Sequence, residues 1–277
     1  MLVRGATHRK PTVAARDLIT AAAGAARRSI VEAAARWSLL VAAAGVCIFV
    51  TVVSLAQDVI PPGGYKPVDP AERQQEQLVD ASRVHIARIR YGGGGDWYSD
   101  PSSMPNLLRE FEARTGIPTA KTEVVIELGD PGLFAHPFVY MTGHGNIKLT
   151  REELEKLREH LLGGGFLWAD DCYGMDSSFR KMARELFPER ELVLLPLDHE
   201  VYRGFYNLEG PPKIHEHDKK PPQGYGVLDG DRLMIFYTYE SDVGDGLEDA
   251  DVHNDSPEKR EQAIRMAVNV LYYALTR

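Results

Sequence analysis

Residues 150–171, TREELEKLREHLLGGGFLWADD, decide the fold. Thr150 and Glu153 have the spacing of a capping box, where hydroxyl and carboxylate satisfy each other's backbone N–H groups and open a helix. Gly163-Gly164-Gly165 closes that helix, because glycine adopts the left-handed conformation that ends one. Phe166-Leu167-Trp168-Ala169 then reads as a buried strand running into two carboxylates, Asp170 and Asp171. A capped helix, a glycine stop and an apolar strand make one half of a repeating α/β unit.

The alternation continues in both directions. Upstream, Val84–Arg90 is expected to be a first strand ending in Gly92–Gly95, followed by a helix near Pro101–Arg114 and strands at Glu123–Glu127 and Phe138–Thr142. Downstream come a helix over Ser178–Phe187, strands at Glu191–Leu195 and Leu233–Tyr239, and a closing helix opened by Ser256-Pro257 and running to about Leu275. Strands and helices at this spacing predict an α/β domain over 84–277: a mostly parallel sheet with helices on both faces.

The preceding residues read differently. Trp37–Gln57, WSLLVAAAGVCIFVTVVSLAQ, contains no charged residue and spans about 30 Å as a helix, the thickness of a bilayer core. It is expected to be a single transmembrane helix, anchored through Trp37, Leu39, Leu40, Ala42, Gly45, Phe49 and Val53. Ser54-Leu55-Ala56 resembles a signal-peptidase site, but the apolar stretch is longer than the usual signal core of about 7–15 residues. Residues 58–83, with Pro61-Pro62-Gly63-Gly64, form a linker. Residues 1–36 carry seven Lys/Arg against Asp17 and Glu32, a net +5 that leaves −13 for the rest of a chain of net charge −8. A basic arm before the span predicts a cytoplasmic N-terminus in a bacterial inner membrane, with everything after Asp58 in the periplasm. The arm suits anionic lipid, whereas the acidic remainder argues against nucleic acid. Of the two cysteines, Cys47 lies in the span and Cys172 in the folded domain, so they cannot pair.

Ligands of parallel sheets bind beyond the carboxyl ends of the strands. The segments there are polar: Gly92–Asp96, Gly143-His144-Gly145, Asp170-Asp171-Cys172, Asp198-His199 and Glu240–Asp245. The candidates for acid–base work are therefore His144, Asp170, Asp171, Asp198 and His199, expected within one cleft. Against this stands a structural network of helix caps and hydrogen-bonded turns. Gly92–Asp96 lacks the Lys-Ser/Thr of a phosphate loop. Asp170 would crowd a nucleophile elbow at Cys172. His215-x-His217-Asp218 and the run Asp242–Asp255 lack the spacing of established metal sites and read as solvated acidic loops. No cofactor or metal set is assigned.

Tyr91-x-Gly93-x-x-Asp96-Trp97-Tyr98, Phe138–Gly145, Gly164-Gly165-Phe166-Leu167-x-x-Asp170-Asp171, Phe187-Pro188, Asp198-His199 and Val268–Thr276 together resemble the bacterial family called domain of unknown function 4159. The resemblance covers Val84–Arg277 and implies a flavodoxin-like sheet of the class I glutamine-amidotransferase-like superfamily. The catalytic Cys and His of that superfamily have no counterparts here. The family often carries a Trp after its late acidic loop, where this chain has Leu247. The function expected is that of a non-catalytic accessory subunit bracing the periplasmic face of an inner-membrane complex, photosynthetic or respiratory. It would contact the other subunits through its transmembrane helix and its periplasmic domain. Ala42-Ala43-Ala44-Gly45 would let a neighbouring helix approach closely. The alternative is a periplasmic hydrolase or a ligand- or metal-binding domain.

Overall fold

The computed structural model describes residues 82–277. The basic arm, the apolar stretch 37–57 and nearly all of the linker lie outside them. Among the described residues, no helix is long and apolar enough to cross a membrane.

The chain runs β1 (Ala87–Arg90), α1 (Ser103–Thr115), β2 (Val124–Glu127), β3 (Phe138–His144), α2 (Arg151–Leu162), β4 (Phe166–Tyr173), α3 (Asp176–Leu186), β5 (Val193–Leu194), β6 (Gln223–Asp229), β7 (Arg232–Tyr239), α4 (Val243–Leu247) and α5 (Pro257–Thr276). One seven-stranded sheet has the order β2-β1-β3-β4-β7-β6-β5. The strands β2, β1, β3, β4 and β7 are parallel, and β6 and β5 add antiparallel pairs at one edge. From β1 the chain crosses first to one side and then to the other. The crevice beyond β1 and β3 is therefore the reversal point at which such sheets bind ligands.

The period of two along each strand sorts the core into two layers. Phe138, Tyr140, Phe166, Trp168 and Phe236 pack with α1, α4 and α5 on one face. Val139, Met141, Leu167, Ala169 and Tyr237 pack with α2 and α3 on the other. The helix α2 opens as expected: Thr150 Oγ1 accepts from Glu153 N at 3.2 Å, and Thr150 N donates to Glu153 Oε2 at 2.6 Å.

Some boundaries differ from the sequence reading. Val84 makes only an isolated bridge to Thr119, and the strand expected at 191–195 shrinks to Val193–Leu194. Strand β6 was not expected, because Gly224 and Gly226 lower its strand propensity. Both glycines are required by packing: a Cβ at Gly224 would lie 2.9 Å from Phe236, and one at Gly226 2.9 Å from Leu195. The segment 243–247, read as acidic loop, is the short helix α4 and is buried throughout.

Candidate functional site

The site begins with an arginine in the core. Arg88 on β1 is 1% exposed, and its Nε meets both oxygens of Glu123 at 2.9 Å. Its remaining donors reach the carbonyls of Trp97, Ser99 and Asp100 at 3.3, 2.7 and 3.0 Å and Ser103 Oγ at 3.3 Å. One guanidinium thus organises the chain between β1 and α1 and fixes the position of Asp100. Asp100 itself has a φ of 54°, a backbone conformation uncommon for residues other than glycine.

On the same face, β4 supplies Asp170 and Cys172. Trp168 Nε1 donates to Thr238 Oγ1 at 3.1 Å, Thr238 donates to Asp170 Oδ1, and Gly244 N donates to Asp170 Oδ2 at 2.6 Å. The Cys172 thiol donates to Asp100 Oδ2 at 3.0 Å and lies 3.0 Å from Thr142 Oγ1. Gly244 closes this chamber: a Cβ there would stand 2.6 Å from Asp100 Oδ2, 2.8 Å from Tyr140 Oη and 3.3 Å from Asp170 Oδ2. These three oxygens therefore face one point. Tyr140 Oη is buried there without a hydrogen-bond partner, and Asp242 Oδ1, just before α4, is also buried and unpartnered.

Around the chamber stand three histidines. His215 Nδ1 is 2.7 Å from Asp245 Oδ2, and its Nε2 is 3.0 Å from Asp255 Oδ2. His253 Nε2 lies 3.9 Å from Asp245 Oδ1, and the two imidazoles are 5.0 Å apart. His217 Nε2 meets Asp242 Oδ2 at 2.6 Å while its ring stacks on Tyr173 at 4.6 Å. Donor atoms of His215, Asp245 and His253 all lie within 4.8 Å of one another, as do those of Asp100, Cys172 and Asp245. Six non-glycine residues among those described have positive φ: Tyr173 ends β4, Asp100 follows β1, Glu240 and Asp242 follow β7, Asn254 lies between α4 and α5, and Lys219 is in the 203–222 segment that carries His215 and His217. Strain of this kind persists only where surrounding structure holds it, and it gathers at functional sites.

The electrostatics follow from burial. Desolvation, then the charge of Asp245, push the Asp100 carboxyl well above the usual range; Asp245 is held below it, against its own burial, by His215 and His253. Burial raises Asp170 to about 7 although Thr238 and Gly244 hydrogen-bond its charged form. Burial and the neighbouring Asp170 and Asp245 raise Asp242 to about 10. Burial also pushes the Cys172 thiol up, so it is protonated and a poor nucleophile. A divalent cation would draw the raised groups back down and hold Asp245 lower still.

The residues expected in one cleft take separate places. Asp170 is in the chamber. Asp171, one residue on, points to the opposite face, accepting from Met175 N at 3.2 Å and Tyr237 Oη at 3.1 Å at the start of α3. His144 sits at the β1/β3 reversal point, its Nδ1 3.1 Å from Asp96 Oδ2, half exposed. Asp198 is exposed. His199 caps the turn Glu200–Tyr202 through Val201 N and packs on Tyr273, whose hydroxyl accepts from Leu233 N at the amino end of β7. The run 242–255 is also not a uniformly solvated loop. Asp242 and Asp245 are buried, and only Asp249 and Asp251 behave as expected. Asp100, Asp242, Asp245, His215 and His253 are not legible as one set in the sequence, because they lie in three separate segments and neither His215-x-His217 nor the acidic run alone has ligand spacing.

Residues 85–275 match the family described as "Domain of unknown function (DUF4159)". No curated protein matches the chain.

Proposed function

The chain belongs to this family, and on that premise we propose that its α/β domain is a metal-binding domain in which His215, Asp245 and His253 hold a divalent transition ion. One observation carries the reading. Three donors from separate stretches of chain converge on one spot, and one of the imidazoles already has its second nitrogen bound by a carboxylate, Asp255. Such outer carboxylates orient histidine ligands and raise their basicity. Two imidazoles and a carboxylate suit zinc or iron better than calcium or magnesium. Donors around a tetrahedral zinc lie about 3.4 Å apart, so His215 Nδ1 and Asp245 Oδ2, now at 2.7 Å, would part while His253 Nε2, 3.9 Å from Asp245 Oδ1, would close in. Three protein ligands leave a position open for water, the arrangement of metal-assisted hydrolysis, and this favours the hydrolase reading of the polar edge. The order β2-β1-β3-β4-β7 supports a flavodoxin-like sheet and the glutamine-amidotransferase-like placement, while the buried Cys172 argues against that superfamily's thiol chemistry in this chain. The test uses the full chain in mild detergent, stripped by chelator and titrated calorimetrically with Zn²⁺. Wild type should bind, and His253→Ala should lose the site it helps to form. A wild-type chain that takes up no Zn²⁺ ends the reading.

The accessory-subunit reading draws on other observations. Residues 37–57 carry no charge, and Val193, Leu194 and Leu197 are exposed at the edge strand β5, where a partner can dock. In this reading the chain is anchored in a bacterial inner membrane with its domain in the periplasm, and its edge braces a larger complex. Leu194→Asp with Leu197→Asp should release the chain from that complex in native gels. Migration of the wild type alone after gentle solubilisation would count against it.

A further inference from the structure

The metal reading above concerns the outer rim, yet the chamber behind it is the more unusual place. We propose that Asp100, Cys172 and Asp245 hold a second divalent transition ion, so that the site is binuclear with Asp245 bridging the two. This rests on the metal reading of the rim and extends it inward.

The two sets of converging donors share one residue, Asp245, whose Oδ2 faces His215 and Oδ1 faces His253 while its carboxyl also meets that of Asp100. Asp100, Cys172 and Asp245 are 7%, 0% and 7% exposed. Two carboxyls in contact inside a protein must share a proton or a cation. Arg88 donates to the Asp100 carbonyl and not to its carboxylate, so without an ion the pair is held by a shared proton. Tyr140 Oη supplies the independent indication. It is fully buried, has no partner, and stands with Asp100 Oδ2 and Asp170 Oδ2 close around the Gly244 Cα, where a Cβ would lie within 3.3 Å of all three oxygens. Asp242 Oδ1 is likewise buried and unpartnered. An unsatisfied buried group costs about 1–3 kcal/mol, so a fold that keeps the Tyr140 hydroxyl unpaired beside this cluster is accounted for when an ion with its bound water supplies the partner. A thiolate with two carboxylates selects zinc, iron or cobalt over calcium or magnesium. As the ion enters, the Cys172 thiol and the Asp100–Asp245 pair each give up a proton to solvent.

Cobalt alone is the probe. Full chain in mild detergent, freed of metal, is titrated with Co²⁺ while near-ultraviolet absorption is recorded, and bound metal is counted after desalting. Two Co²⁺ per chain and a thiolate-to-cobalt charge-transfer band are expected. Cys172→Ser should abolish the band and reduce the count from two to one, and Asp100→Asn should do the same if the serine variant fails to fold. One Co²⁺ without the band overturns the inner site and leaves the rim reading standing. No bound Co²⁺ overturns both.

Discussion

Arg88 shows how much one side chain determines at this sheet edge. Its guanidinium is buried against an equally buried Glu123, with side chains 1% and 8% exposed, and its remaining donors hold three carbonyls of the loop before α1. Removing one partner of a buried pair strands the other, at a cost of about 3–5 kcal/mol, whereas replacing both with apolar groups is often near neutral. Arg88→Leu should therefore lower the unfolding free energy obtained from urea titration by that amount, and Arg88→Leu with Glu123→Leu should recover much of it. A double variant as unstable as the single one would show that the loop carbonyls, not the stranded carboxylate, dominate. Little of this was legible in the sequence. In Val84–Arg90 the alternation identifies a strand, but Arg88 looks like a solvent-facing residue because its partner is 35 positions away. The same distance hid the chamber: His215, Asp245 and Asp100 meet only once three segments fold together.

At the scale of elements, signals carried by neighbouring residues are legible in the sequence and long-range packing is not. The capping box at Thr150, the glycine stop at 163–165 and the strand behind it are all present, since each depends on neighbours within a few residues. The parallel sheet followed from them. Strand β6 escaped because its two glycines contradict strand propensity, and their reason, the side chains of Phe236 and Leu195, lies on other elements. The pair Asp170-Asp171 is the instructive case. Two adjacent carboxylates at a strand end suggest one acidic site, yet successive residues of a strand point to opposite faces. Asp170 consequently meets Thr238 and Gly244 beside α4, and Asp171 meets Met175 and Tyr237 at α3. The alternation that sorted the core into two layers also divides the candidate acids into a site residue and a helix anchor.

Along its strands the described domain carries the acidic cluster, with His215, His217 and His253 paired to it, at the carboxyl ends, and a second group of imidazoles with no carboxylate partner at the amino ends. His136 precedes β3, and His160 ends α2 just before β4. They are 5% and 3% exposed, and His136 Nδ1 and His160 Nε2 have no hydrogen-bond partner. Burial, and then the neighbouring His136, push His160 down to about 4, while burial and His85 lower His136. In the unfolded chain a histidine titrates near 6.5, so between about pH 6.5 and 4 the unfolded state binds a proton that His160 in the fold refuses. The folded pKa is depressed, so the stability is fully present above pH 6.5, falls as the pH drops, and levels off below 4. His160 alone accounts for up to about 3 kcal/mol of that loss. The ring packs tightly on Gly165, where a Cβ would overlap it, and the neighbouring imidazole of His136 lowers the His160 pKa further. Acid unfolding of the metal-free chain, followed by urea midpoints at pH 7.5, 5.5 and 4.5, should thus be shallower for His160→Leu than for wild type. The two curves should converge at low pH relative to their separation at pH 7.5. Parallel curves would mean that His160 accepts its proton inside the fold, and the acid sensitivity of the domain would then have to come from the carboxyl end of the sheet.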